Sequence, residues 1–463
     1  MNKKLARLSA LGLAVMLAAC APIPKLAEPA KPLDTQQLGL ADKPQLDISA
    51  RWWSSYQDAA LDALIDRALA QNPNLAAASA RVAHAQAMAE AAGAQDRPVI
   101  GAGADWTRQH LSENGFYPKP FAGETLNVMN LGVGVSYNWD FFGRHKAEIE
   151  SALGARRAAE MDAAAARLML SAQVTRAYFG LARVLAQQTL LNDQLADRQQ
   201  SLDLVRERQQ AGLDNTQDLR QAETPLTELR RQSQALDEQA SLLRNQLAAL
   251  SVQPAAELAS LSPRMPALLS FEGQPTLNLL GRRPDVLAAR SRVESATGQV
   301  TAAKAQFYPD VTLAAQYAFN ATTVSKLLQS SSGQWNFGPA LRVPLFDTGA
   351  LRAQLKGRAA ELDSAVAAYN GTVLEAVRDA SDQVASLQSL QAQEHQTADG
   401  LASTEAAYVL ARERFDAGMG NKLVVLAAHG QVLAQQRSLL DLRAQALDTQ
   451  VNLLRALGGG IAN

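Results

Sequence analysis

One cysteine, five histidines and two glycine turns flanked by charge are the places where side chains of this chain could do chemistry. Cys20 is the only thiol, so it has no disulfide partner within the chain. His84, His110, His145, His395 and His429 are scattered, and no two stand at the i, i+4 spacing of a helical zinc site. Gly101-Ala-Gly103 and Gly132-Val-Gly134 lack the third glycine and following helix of a dinucleotide loop. No Ser/His/Asp set stands out, so enzyme activity is not expected and no metal or organic cofactor is called for. The charged turns are Arg206-Glu207-Arg208-Gln209-Gln210-Ala211-Gly212 and Arg412-Glu413-Arg414-Phe415-Asp416-Ala417-Gly418. A long run without proline enters each, and a second helical run leaves it. Gly212 and Gly418 therefore read as the turns of two antiparallel helix hairpins.

Lys3, Lys4 and Arg7 precede an apolar stretch from Leu8 to Ala19, a signal peptide too short to span a membrane. Leu17-Ala18-Ala19-Cys20 resembles the lipobox of bacterial lipoproteins. That resemblance implies cleavage after residue 19 and covalent lipid on the Cys20 thiol. By the same resemblance, an aspartate after the cysteine would favour the inner membrane; Ala21 and Pro22 stand there instead, which points to the outer one. Pro22, Pro24, Pro29, Pro32 and Pro44 make residues 20–50 an extended tether.

The 463 residues carry 44 basic and 45 acidic side chains without a basic block, so nothing favours nucleic acid. With 47% apolar and only 5% aromatic residues, the composition leans towards long helices with a large core. Leu61, Leu64, Ile65 and Leu69 recur at helical spacing until Asn72-Pro73. After Pro98 the period changes to two. Leu131, Val133, Val135, Tyr137 and Trp139 share one face, and Gly132, Gly134, Ser136 and Asn138 the other. Strands are predicted at about 99–108, 131–140, 311–320 and 336–345, with polar loops at 109–130 and 321–335. Their length, with one apolar face, suits transmembrane β-strands. Trp106, Tyr137, Trp139, Tyr317, Phe319 and Phe337 are the expected membrane-facing aromatics.

Residues 144–211 and 350–417 contain no proline, 68 residues each. A continuous helix of that length reaches roughly 100 Å. The returning helices, 216–250 and 423–457, carry Leu229, Leu236, Leu243 and Leu250, then Leu433, Leu440, Leu447 and Leu454, at the seven-residue spacing of coiled-coil packing. Pro225 is expected to kink the first or to mark its late start. Residues 254–281, rich in proline, read as a linker. Punctuation superposes the halves: Pro73 and Pro284, like Pro98 and Pro309, are 211 apart, while Gly143 and Gly349, like Gly212 and Gly418, are 206 apart. Residues 51–253 and 282–463 therefore read as an internal two-fold repeat. Four strands cannot close in lipid, so several chains must share one barrel: two would give eight strands, three would give twelve with an appreciable lumen.

The chain resembles the TolC family of outer-membrane efflux channels, in its NodT/OprM-like lipoprotein branch. The resemblance rests on the lipobox, Arg51-Trp52-Trp53, Arg282-Arg283-Pro284-Asp285-Val286, Phe307-Tyr308-Pro309 and the duplicated Ala-Gly turn. It implies a mixed α and β membrane protein: a homotrimer with a twelve-stranded transmembrane β-barrel continued by a long periplasmic α-helical barrel. It further implies a passive exit duct for small molecules, lipid-anchored at the outer membrane, with a periplasmic adaptor and an inner-membrane transporter as partners. In this family the hairpin turns form the periplasmic aperture, so Asp214, Asp218, Arg206, Arg208, Arg412 and Arg414 are its candidates. Three copies of Asp214 or Asp218 would make a cation-attracting ring; equally, both could serve only the helix N-terminus they precede or open. The arginines could latch the tip, dock the adaptor, or lie solvated. Some members carry aspartates six and nine residues after the second glycine, where this chain has Val424 and Ala427. Two other readings stay open: a lipid-anchored periplasmic coiled-coil scaffold or adaptor, and a duct for type I protein secretion.

Overall fold

The computed structural model describes residues 23–33, 48–269, 282–344 and 348–460. In chain order the elements are α1 (Ala59–Gln71), α2 (Pro73–Ala94), β1 (Val99–His110), β2 (Thr125–Trp139), α3 (Arg144–Gln210), α4 (Thr216–Ser251), α5 (Pro284–Ala305), β3 (Asp310–Ala321), β4 (Gly333–Arg342), α6 (Thr348–Asp416) and α7 (Lys422–Ala456). Among the described residues no helix is long and apolar enough to cross a membrane. Packing divides the chain into two compact units, and each draws on both halves of the sequence.

The first unit comprises residues 1–32, 81–159 and 289–369 and contains the sheet. Its four strands are antiparallel in the order β1-β2-β3-β4. Register places Ala102, Val133, Tyr317 and Trp335 on one rung and Ile100, Val135, Ala315 and Phe337 on the next. Because side chains alternate along each strand, these rungs share a face. Strand β4 is predicted over 336–345 but runs from Gly333 to Arg342; Pro344 cannot donate to a ladder, and Leu345 lies outside the described residues. The shift brings Trp335, expected in the loop, into the sheet. Strand β2 begins six residues before its expected start at 131. There Leu126 and Val128 break the apolar alternation, and their pairing with Gln109 and Thr107 extends the strand instead.

Below the sheet, α3 and α5 approach through small residues. A Cβ on Gly298 would lie 2.9 Å from the carbonyl oxygen of Ala147, and one on Gly154 2.8 Å from the amide nitrogen of Ser295. The hydroxyls of Ser151 and Ser295 bond between them at 3.2 Å. Gly298→Leu is therefore expected to force the helices apart at a cost of about 1–3 kcal/mol, seen as a lower temperature of unfolding in detergent.

The second unit, residues 33–80, 160–288 and 370–463, holds the larger core. Trp52, Leu61, Ile65, Tyr178, Leu181, Leu247, Val451 and Leu454 are almost fully buried in it. Asp58 caps α1 by accepting from the Ala60 and Leu61 amides and accepts a hydrogen bond from the Tyr178 hydroxyl at 2.8 Å, while burial pushes the Tyr178 phenol above its usual range. The linker is pinned where Gln450, buried on α7, exchanges two hydrogen bonds with the backbone of Leu269; residues 270–281 lie outside the described residues. On α4, Leu226, Ala240 and Leu247 are buried and Leu229, Leu236, Leu243 and Leu250 half-buried, the two stripes of a coiled-coil seam. Pro225 sits within α4, which remains one helix.

Candidate functional site

Two features stand apart from ordinary packing: the uncovered face of the sheet and the pair of helix turns. Ile100, Trp106, Val133, Trp139, Tyr317, Trp335, Phe337 and Leu341 all lie on the apolar face and are exposed, Trp335 to 77%. A soluble protein rarely exposes so continuous an apolar surface. Trp106 and Trp139 stand near opposite ends of it, whereas Tyr317 and Trp335 occupy a middle rung. Tyr137 packs edge-on against Trp139 and Tyr317 against Phe319. The opposite face bears mostly glycine, alanine and uncharged polar residues, with Leu126 and Val128 towards one end and Asp105, Asp310 and Arg342 as its charged residues. Among the described residues, β1 and β4 have one neighbour each, so both edges of the sheet are open there.

The two turns share one backbone. Gly212 and Gly418 both adopt φ +73, a left-handed conformation that a side chain would strain. Leu213 donates to the Arg208 carbonyl and Met419 to that of Arg414, each at 2.8 Å; this six-to-one bond closes a Schellman motif. Their side chains differ. Arg208 makes two bonds of 2.9 Å to Asp214, and the hydrogen bond from Arg208 holds the Asp214 carboxyl below the usual carboxylate range. Asp218 accepts from the Asn215 amide at 3.0 Å, completing a capping box at the start of α4. Arg206 pairs with Asp203 at 3.0 Å. In the second turn Arg412 stands 3.8 Å from Asp416, Lys422 lies over the Phe415 ring, and Val424 is exposed. Arg414 has no ion pair among the described residues. Asp214 and Asp218 thus both serve their own turn. His429 of α7 meets Asp197 of α3 at 2.5 Å beside the Tyr408 ring, a contact between residues 232 apart that spacing along one helix does not reveal.

An apolar, edge-open sheet joined to paired long helices recurs in known proteins. The chain matches the family model described as outer membrane efflux protein over residues 64–251 and 277–459. It belongs to the outer membrane efflux protein family. It is 30% identical over 490 residues to the multidrug resistance outer membrane protein MdtP of Shigella flexneri, covering 99% of this chain and 98% of MdtP. Identity to the outer membrane protein OprJ of Pseudomonas aeruginosa is 31% over 467 residues, with 99% and 97% of the two chains covered. The crystal structure of the outer membrane protein VceC from Vibrio cholerae superposes with a TM-score of 0.83 at 36% identity, covering 89% of this chain and 99% of VceC.

For this outer membrane efflux protein the TolC-family resemblance holds, and its role is that of the outer-membrane channel of an efflux system. Cys20 lies outside the described residues. Sequence reasoning missed Trp335, though stepping back two residues from Phe337 would have found it. It also missed the partners of Arg283. That side chain, 9% exposed, bonds Asp285, Asp379 and the Ala456 carbonyl, tying the entry of α5 to the end of α7.

Proposed function

We propose that three copies of this chain close their four-stranded sheets into one twelve-stranded barrel in the outer membrane, and that α3, α4, α6 and α7 of each copy continue it as a helical duct into the periplasm. The observation that carries this reading is the sheet, with an exposed apolar face, a polar opposite face and two open edges. In lipid each unpaired backbone group costs several kcal/mol, so the edges must meet those of other copies. Exposed Leu374, Val409 and Leu410 on α6 likewise favour neighbouring helices. Two matches to one family model, one in each half, together with the repeated order of elements, support an internal two-fold repeat.

In this reading the protein is the passive exit of a tripartite pump, receiving cargo from an inner-membrane transporter through a periplasmic adaptor. The names of the relatives, multidrug resistance and fusaric acid resistance, favour small molecules as that cargo. Lipid on Cys20 holds the chain at the outer membrane, and the two turns ring the periplasmic aperture. Purified protein in planar bilayers is expected to give stable single-channel conductance. A Cys20→Ala protein that stays soluble without detergent and conducts nothing would overturn the reading.

The first turn yields a narrower expectation. Because the Asp214 carboxyl is depressed in the folded state, the Arg208–Asp214 pair contributes fully above the ordinary carboxylate range, about pH 4, and is lost only as pH falls through the lower folded value. Arg208→Gln removes it at every pH. Conductance of the unsubstituted channel should then owe no change between pH 5 and 8 to this pair, while Arg208→Gln should raise conductance across that range. Unchanged conductance would place the constriction elsewhere.

A further inference from the structure

The polar face of the sheet is nearly free of charge. Along its four strands only Asp105, Asp310 and Arg342 are charged. Asp310 and Arg342 are register partners at the end of the sheet next to the helices, so their charges offset one another. Asp105 has no such partner. It stands opposite Asn130, which stands opposite Asn320, in the middle third of β1. Asn130 Nδ2 donates to Asp105 Oδ2 at 2.9 Å, and Asn320 Nδ2 donates in turn to Asn130 Oδ1. The chain of amides fixes the carboxylate in place yet is neutral, so it leaves the charge uncompensated. Next to it on the same face, Gly103 and Gly132 face one another and bring no side chain.

We propose that Asp105 is a selectivity residue of the channel: three copies form a ring of carboxylates in the barrel lumen that favours cations over anions and draws cationic cargo outward. The proposal rests on the closed-barrel reading above. Twelve strands about 4.8 Å apart and tilted by about 40° give a backbone radius of roughly 12 Å. Carboxylates reaching inward from that wall stand within about one Debye length of the axis at physiological salt, some 8–10 Å. Their field therefore fills the lumen where a wider pore would screen it. No other residue of that face between its two ends carries charge, so Asp105 sets the potential of the membrane-spanning section.

The test is the reversal potential of the purified trimer in planar bilayers under a potassium chloride gradient around 0.1 M. Asp105→Asn keeps the size of the side chain and an acceptor for Asn130. It is expected to lower the cation-to-anion permeability ratio by about twofold or more, with the difference shrinking at 1 M salt, where screening is about 3 Å. Asp105→Glu should retain the preference of the unsubstituted channel. Conducting Asp105→Asn channels whose reversal potential equals that of the unsubstituted protein would overturn the proposal and leave the barrel standing. Absence of conductance from every version, the unsubstituted one included, would overturn both.

Discussion

Val133→Arg is expected to remove the protein from the outer membrane fraction, whereas Gln316→Arg is expected to leave it there. Val133 lies on the apolar face, two rungs in from Trp106, and is 54% exposed. In a barrel that exposure is to lipid, and arginine near the bilayer midplane costs about 2–4 kcal/mol in each copy. Gln316 pairs with Asn336 and Gly134 on the polar face, where an arginine would meet water. The readout is the fraction of each variant that sediments with outer membranes and migrates as a heat-modifiable oligomer. Equal retention of the two variants would mean that the faces are not sorted between lipid and lumen.

The second large effect is expected at Arg283. Its guanidinium forks onto Asp285, at 3.1 and 2.7 Å, reaches Asp379 at 3.4 Å and closes the last turn of α7 by donating to Ala456. Arg455 holds Asp379 from the other side at 3.0 Å. Burial works to raise the Asp285 carboxyl, but the bonds from Arg283 outweigh it and leave the group below the usual carboxylate range. Arg283→Ala strands Asp379 beside a single cation and leaves a carbonyl unpaired, a loss of about 3–5 kcal/mol. In a membrane oligomer this reads as a lower temperature of irreversible unfolding and faster proteolysis near residues 282–285. By the sign of the Asp285 shift, the contribution persists at neutral pH and fades only as pH falls below the ordinary carboxylate range. A variant as heat-resistant as the parent protein would show that the cluster holds nothing.

What could be read from the sequence follows where the physics is local. Gly212 and Gly418 mark their turns because few other residues tolerate that backbone, and absence of proline marks the long helices. Period-two alternation found most of the sheet, since lipid and water on opposite faces impose it directly. It failed at the ends: β2 continues through Leu126 and Val128 on ladder bonds alone, and Pro339 within β4 masked the pattern that includes Trp335. The aspartates of the first turn could not be assigned from spacing, because a lumen ring and a capping box ask for the same residue near a helix start. Their geometry gives Asp214 to Arg208 and Asp218 to Asn215. Arg283 stood in a recognised motif, yet Asp379 and Arg455 are 96 and 172 residues further along the chain, and no local rule joins them. Asp105 escaped notice for the same reason, since its isolation appears only once the register is known.

The closed barrel is the claim on which the rest depends, and the number of chains tests it most directly. Native mass spectrometry of the protein released from a minimal detergent micelle is expected to give one dominant assembly of three chains. A dominant monomer or dimer, from protein that is folded and conducting, would contradict it.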